Sequence, residues 1–171
     1  MEVKLRPFAD ADLPMLAAWL AQPHVAPWFT PAEDWLNEVR GRRGRYAFLR
    51  DRILMVDGQA VGFGQHYPYA AGGEHWQGAL PLAGTHSIDY LLGDPRYLRR
   101  GLGTRAVRLL AGGVFSQPDA QRVIVRPEAE NIASCRTLLA AGFAYDAHNA
   151  LFILTREDFS PKIARPGSAV L

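Results

Sequence analysis

The sequence predicts an α/β protein, a single domain built around a mixed, mostly antiparallel β-sheet. The first observation is the order of its periodic segments: strand, two helices, three strands, helix, strand, helix and two strands. This order is typical of a sheet covered by helices. The second is a glycine-bearing turn at 98–103, which joins a predicted strand to a predicted helix. The third is size, because 171 residues with 49% hydrophobic content suffice for one core.

The N-terminal segment is predicted to form one strand and two helices. Apolar and charged residues alternate over 3–7, which indicates a strand with one buried face. Asp10 or Asp12 can cap a first helix, whose apolar stripe runs over 13–20. An aromatic, proline-rich segment follows, and a second helix is predicted to begin near Thr30.

The middle of the chain is predicted to be an antiparallel meander. Residues 45–50 and 53–56 have the composition of short strands. Asp57-Gly58 is a strong hairpin signal and leads into a strand over 60–67.

A long glycine-rich loop over 70–84 separates this meander from the next predicted strand, over 86–93. It carries Glu74 and Trp76. Because long loops without regular structure are uncommon inside compact domains, we expect this one to be functional or mobile.

The stretch around 98–103, Leu-Arg-Arg-Gly-Leu-Gly, predicts an anion site. It follows an apolar strand that contains one carboxylate, Asp89, and it precedes an amphipathic helix over 103–115. The first N–H groups of a helix have no partner within the helix, and the dipole is positive there. A phosphate is the natural ligand of such a loop.

The C-terminal part is predicted to contain a buried strand over 122–126 and a helix from Asn131, with Gly142 as its C-cap. A strand pair over 143–145 and 151–154 follows. We expect the domain to span 1–160, with a polar, proline-bearing tail over 161–171.

Composition excludes several classes of protein. A formal net charge of +2 with 21% charged residues gives no reason to expect nucleic acid as a partner. One cysteine excludes an internal disulfide, and the five histidines lack the spacing of a metal cluster, so we expect no metal. The first residues are too polar for a signal peptide, and no apolar run approaches the roughly 20 residues of a membrane span. We therefore expect a cytoplasmic protein with no membrane partner.

The loop at 98–103 resembles the acyl-CoA pyrophosphate loop of the GNAT superfamily of N-acetyltransferases, [Q/R]-x-x-G-x-[G/A], with Leu98 at the first position. The segments Pro-Glu-Ala-Glu-Asn at 127–131 and Leu-Ala-Ala-Gly-Phe at 139–143 resemble the second conserved stretch of that family. This resemblance implies the GNAT fold, with a sheet splayed at the acyl-CoA site, and acetyl-CoA as co-substrate. It implies these cofactor-binding residues: Leu92, Leu98, Arg99, Arg100, Gly101, Leu102, Gly103, Thr104 and Asn131.

Within the superfamily, residues 5–155 are most similar to the aminoglycoside 6′-N-acetyltransferases, with matches at 12–20, 24–29, 62–67 and 84–104. This likeness implies that the substrate is an amine of an aminoglycoside-like cationic small molecule. We expect the acetyl group to be transferred directly to this amine in a ternary complex. The implied substrate-binding residues are Trp28, Tyr67, Glu74, Trp76 and Asp89. Amine acetylation requires a neutral amine, so a carboxylate within reach has to accept the proton of the ammonium form. Asp89 is the predicted catalytic residue.

Three positions bear on this assignment. Arg126 stands where those enzymes have an acid, and its charge is expected to repel a cationic aminosugar. Leu138 stands where many members have the Tyr that protonates the departing CoA thiolate, which leaves the role to water or to another group such as Ser134. Cys135 lies in the apolar middle of a predicted helix, so we reject an acyl-cysteine intermediate.

Two alternatives remain open. Hydroxamate-siderophore acyltransferases share the run Gly-Asp-Pro-Arg-Tyr-Leu at 93–98 but use His at the position of Asp89. His86 is a poor substitute because an odd offset places it on the opposite face of the strand. A non-catalytic CoA-binding regulator is the alternative of another class, although it has no need of Glu74, Trp76 and Asp89. The acceptor, the acyl chain length and the oligomeric state stay open.

Overall fold

The computed structural model describes residues 1–159, which form one seven-stranded sheet flanked by four α-helices. The strand order is β1-β2-β3-β4-β5-β7-β6, and only the β4–β5 pair is parallel. The predicted mixed, mostly antiparallel sheet is therefore confirmed. The strands are β1 (Val3–Pro7), β2 (Arg50–Val56), β3 (Gln59–Pro68), β4 (Thr85–Leu92), β5 (Arg122–Val125), β6 (Ala144–Asp146) and β7 (Leu151–Thr155).

The helices cover both faces of the sheet. They are α1 (Leu13–Leu20), α2 (Ala32–Arg40), α3 (Leu102–Phe115) and α4 (Ile132–Ala140). Helices α1 and α2 pack on the face that carries Phe63 and Leu91. Helices α3 and α4 pack on the other face, which carries Ile88 and Val123. None of the helices within residues 1–159 is long and apolar enough to cross a membrane.

The β2–β3 turn at Asp57-Gly58 has the backbone that the sequence indicates. Both residues have positive φ, 47° and 80°. This is the conformation that two-residue hairpin turns need in order to match the right-handed twist of the strands. Strands β2, β3 and β4 follow as the predicted antiparallel meander.

Strands β4 and β5 diverge, and this opens the sheet. Their pairing begins at Thr85 and ends where Ser87 lies opposite Ile124, although β4 continues to Leu92. At the last pair, the Ser87 hydroxyl donates to the Ile124 carbonyl at 2.8 Å. Beyond it, no strand within residues 1–159 pairs with β4 on the β5 side, so a ligand can enter between the two strands.

The prediction of a separate strand over 45–50 is wrong. Residues 41–49 form successive turns, closed by hydrogen bonds such as Tyr46 N–H to Gly41 O at 3.0 Å and Leu49 N–H to Tyr46 O at 3.0 Å. One continuous strand, β2, begins only at Arg50.

The last described residue packs against α3. The Phe159 ring lies 5.1 Å from that of Phe115. The tail predicted over 161–171 lies outside the described residues.

Candidate active site

A cavity of about 850 Å³ lies at the opening between β4 and β5. Every predicted site residue except Arg100 lines it. These residues are Trp28, Tyr67, Glu74, Trp76, Asp89, Leu92, Leu98, Arg99, Gly101, Leu102, Gly103, Thr104 and Asn131. The cavity thus brings together the predicted phosphate loop and the predicted acceptor side chains.

The loop before α3 forms one end of the cavity. Arg99 and Gly101 have positive φ, 61° and 72°, and Gly101 is the N-cap of the helix. The Arg105 N–H bonds back to the Gly101 carbonyl at 3.2 Å, so the amides of 102–104 precede the first helical hydrogen bond. This arrangement presents N–H groups and the positive end of the dipole to an anion.

Two loop residues contribute differently from the others. The Leu102 side chain is fully buried in the core, so it offers the cavity only its backbone. The Arg100 guanidinium lies 5.5 Å from the centre of the Tyr97 ring, away from the cavity wall. A direct contact of Arg100 with the cofactor stays a prediction.

The start of α4 forms a second wall beside this loop. The Asn131 side chain caps the helix by accepting the Ser134 N–H at 3.2 Å. A Cβ on Gly103 would approach the Thr137 side chain to 3.4 Å, so α3 and α4 meet closely at this point. The two helix N-termini consequently flank the same space.

Asp89 stands at the other end of the cavity. It lies opposite Gln65 in the β3–β4 register, and the Gln65 amide donates to its Oδ2 at 2.8 Å. Burial raises the pKa of Asp89 to about 6, and the Gln65 amide opposes this rise. Tyr67, two residues along β3 on the same face, adds a phenol whose pKa burial also raises. Asp89 is thus suited to exchange a proton near neutral pH.

Glu38 is a second carboxyl group at this end, and sequence reasoning missed it. It is half-buried on α2 and lines the cavity one helical turn from Trp35. Burial, followed by the charges of Asp89 and Asp51, raises its pKa to about 7. The only sequence signal was an acid next to the buried Val39, and such acids usually face solvent.

The loop over 70–84 supplies a third carboxylate and an aromatic wall. Glu74 accepts the Trp76 indole N–H at 2.7 Å, and the Trp76 amide donates to the Tyr69 hydroxyl at 2.6 Å. Trp76 packs edge-on against the buried Tyr69 ring. Arg126 covers Trp76, with its guanidinium 5.8 Å from the ring centre. The loop is therefore anchored to the sheet, and Arg126, which also lines the cavity, places its charge over the face of Trp76.

More aromatic side chains complete the wall than the sequence indicated. Phe29 and Trp35 contact each other with ring centres 4.8 Å apart, and Phe48 lies 6.3 Å from Tyr67. All four line the cavity. Phe48 and Tyr46 belong to the turns at 41–49, whose position no local pattern could give.

Three positions discussed at the sequence level lie outside the cavity wall. His86 is buried in the part of β4 that pairs with β5. Cys135 packs against the core between α4 and the sheet. Leu138 is fully buried in the same core, whereas Ser134 and Tyr90 reach the cavity.

The family is shown by comparison with known proteins. Residues 9–151 match the family model described as "Acetyltransferase (GNAT) domain". The chain therefore belongs to this family and is an acyltransferase, which confirms the GNAT fold expected from the loop and the α4 segment.

Known proteins that are similar to this chain agree with the resemblance noted in the sequence. An aminoglycoside N(6′)-acetyltransferase type 1 of Klebsiella pneumoniae is 29% identical over 147 residues, 82% of this chain and 73% of that protein. A structure of AAC(6′)-Ib with paromomycin and acetyl-CoA has a TM-score of 0.81 at 26% identity, covering 96% of this chain and 99% of the other. A structure of the same enzyme with coenzyme A and kanamycin has a TM-score of 0.76 at 27% identity, covering 92% and 97%.

Proposed function

We propose that the protein transfers the acetyl group of acetyl-CoA to an amine of an aminoglycoside-like polycationic molecule, directly and within a ternary complex. The observation that carries this proposal is a single cavity with an anion-binding loop at one end and three carboxyl groups, Glu38, Glu74 and Asp89, at the other. The relatives named above for aminoglycoside acetylation, and the neighbours crystallised with CoA and aminoglycosides, support it.

The loop end suits the pyrophosphate of acetyl-CoA. Its backbone amides and the two helix N-termini attract phosphate oxygens, and Arg99 adds a fixed positive charge. The pantetheine arm would then run along the free side of β4, where the strand has separated from β5. Backbone N–H groups on this side, near Leu92, can polarise the thioester carbonyl.

The acidic end suits an amine that arrives as an ammonium ion. Carboxylates at Glu38 and Glu74 attract and orient a polycation, and the flat faces of Trp28 and Trp76 can cover its rings. Asp89 accepts a proton from the ammonium group, directly or through water, and frees the nitrogen lone pair. Holding this nitrogen against the thioester makes the attack effectively unimolecular.

The alternatives fit the cavity less well. The position where a siderophore acyltransferase carries histidine holds Asp89, and His86 is buried elsewhere. A regulator that only binds CoA has no use for three carboxyl groups beside the thioester path. We also propose a cytoplasmic location, where acetyl-CoA is available.

The test is release of free CoA, measured by thiol titration, with kanamycin, tobramycin, an N-hydroxylysine derivative, a peptide amine and no acceptor. Turnover with the two aminoglycosides is expected, with a product heavier by one acetyl group. Turnover only with the hydroxylamine would assign the protein to siderophore assembly. CoA binding without turnover on any acceptor would favour the non-catalytic reading.

A further inference from the structure

A pair of hydroxyl groups lies on the CoA side of the cavity, and neither the proposed base nor the phosphate loop uses it. Tyr90 Oη and Ser134 Oγ are 2.6 Å apart, a short hydrogen bond in which either can donate. Both residues line the cavity. The pair joins β4 to the first turn of α4, across 44 residues of sequence.

The position of Tyr90 on its strand determines what it can reach. Successive residues of a strand point to opposite faces, so Tyr90 faces α4 while Asp89 faces α2. Tyr90 also lies beyond Ser87, the last β4 residue paired with β5. A thioester that runs from the phosphate loop toward Asp89 would pass through this opening, between the side chains of Asp89 and Tyr90.

Ser134, the other member of the pair, is held in place. The Ser134 N–H is fixed by the Asn131 cap, which orients the first turn of α4. Leu138, one turn further along the helix, is fully buried in the core and carries no proton to give. The hydrogen-bonded hydroxyl pair is therefore a protic group on this wall of the cavity that can serve a sulfur atom.

We propose that Tyr90 and Ser134 form the proton relay that serves the departing CoA thiolate, an assignment that rests on the acetyl transfer proposed above. The amine lone pair forms the C–N bond, the C–S bond breaks, and its electron pair stays on sulfur. Ser134 gives its proton to sulfur as Tyr90 gives its own to Ser134. The tyrosinate then takes up, through solvent, the proton that the acylated nitrogen loses. The products are the amide and free CoA thiol. Burial raises the pKa of Tyr90, so the phenol is fully protonated at neutral pH before each turnover.

The decisive experiment titrates the thiol of bound CoA, because it needs no acceptor. Ultraviolet absorbance of the thiolate in the enzyme–CoA complex gives its pKa for the wild type, Tyr90→Phe and Ser134→Ala. Hydrogen bonds to the charged form lower a pKa. We expect a rise of roughly one pH unit in either variant. Tyr145→Phe and Ser116→Ala, at exposed positions, are the matched controls and should leave it unchanged.

Kinetics with an accepted amine provides the second readout. Loss of a proton donor is expected to lower kcat by about 10²-fold in Tyr90→Phe, with the KM for acetyl-CoA changed less than about twofold. An unchanged thiol pKa in both variants would overturn the relay. A variant that binds CoA more weakly but keeps the wild-type kcat would also overturn the relay, because the pair would then act only as a structural contact. If no acceptor turns over, the thiol titration alone decides, so failure of the proposed function and failure of the relay remain distinguishable.

Discussion

Asp89 and Glu38 share one cavity although 50 residues separate them, and their charges determine how activity depends on pH. Burial raises the pKa of Asp89 to about 6 and that of Glu38 to about 7. Both groups are therefore protonated at a pH where ordinary carboxyl groups are still charged. Because an accepted proton and an attracted cation both require the charged form, kcat/KM should fall as the pH drops below about 7.

Asp89→Asn tests the proposed base. The amide keeps the shape and can still contact Gln65, but it cannot accept a proton. We expect kcat for an accepted aminoglycoside to fall by about 10²-fold or more at pH 8. Steady-state kinetics across the pH range gives the measurement. Asp119→Asn, at an exposed position outside the cavity, is the control. A kcat within a few-fold of wild type would remove Asp89 from proton transfer.

Glu38→Gln separates attraction from proton transfer. The change removes one charge near the acceptor but leaves Asp89 in place. The expected result is a KM for the polycationic acceptor raised by about 10-fold with kcat nearly constant, because binding of ground state and transition state is weakened alike. The decline of kcat/KM near pH 7 should weaken as well. A fall in kcat equal to that of Asp89→Asn would instead make Glu38 a participant in the chemistry.

Asp51 should limit stability rather than activity. It is buried, its carboxylate oxygens have no hydrogen-bond partner among residues 1–159, and burial raises its pKa from the ordinary 3.8 to about 6. A raised carboxyl pKa means that the folded state loses stability as the pH rises from about 4 through about 6. The full difference is about 3 kcal/mol above that range.

Asp51→Asn should therefore unfold at a higher temperature than wild type at pH 8, and the two should converge at pH 4. Thermal unfolding followed by circular dichroism at both values is the measurement. Glu157→Gln changes an exposed acid and should have no such pH-dependent effect. If Asp51→Asn were less stable than wild type at pH 8, the charges of Arg42 or Arg52 would have to stabilise the Asp51 carboxylate by more than its burial destabilises it.

At the scale of elements, the loop before α3 depends on the backbone of Gly101. Its φ of 72° is strained for a residue with a Cβ, and no neighbouring atom of the described residues lies within 4 Å of where that Cβ would stand. Gly101→Ala should cost about 1 kcal/mol of stability and raise the KM for acetyl-CoA several-fold, because the amides at the helix start move. Denaturant unfolding and kinetics measure the two effects.

Gly58→Ala is the matched control for this element. Gly58 also has a positive φ, 80°, and no atom of residues 1–159 lies within 4 Å of its Cβ position, but it lies in the β2–β3 turn. A similar loss of stability with an unchanged KM is expected. Equal effects of both variants on KM would show that general destabilisation, rather than the phosphate loop, controls cofactor binding.

The elements that the sequence predicted well are those whose signals are local. The loop at 98–103 and α4 combine a glycine or a capping Asn with helical periodicity, and both occur where predicted. The segment 45–50 has the composition of a strand, but pairing is not a local property, and the structure has turns at 41–49 instead. Glu38 and Tyr90, the partner of the candidate Ser134, were missed for the same reason, since only the tertiary fold brings α2 and α4 to β4.

At the scale of the whole molecule, the splayed sheet places two regions of opposite charge close together, at the two ends of one cavity. The α3 and α4 termini with Arg99 make the CoA end positive, while Glu38, Glu74 and Asp89 make the acceptor end negative. A net charge of only +2 gives no hint of this polarity. Both co-substrates should therefore be attracted by charge, each to its own end.

Added salt should consequently weaken the binding of both substrates. The size of the effect should differ among acceptors. At about 0.1 M ionic strength the Debye length is about 10 Å, so partly exposed charges such as Glu74 are screened. We expect the KM for a tetra-amine such as kanamycin to rise steeply with added salt, while a mono-amine analogue changes little, because the number of attracted charges sets the slope. Steady-state kinetics at constant pH over a salt series measures both slopes. Equal slopes of KM against salt concentration for the two acceptors would contradict this prediction. The carboxyl groups would then act by direct contact with one amine and not by long-range attraction of the whole polycation.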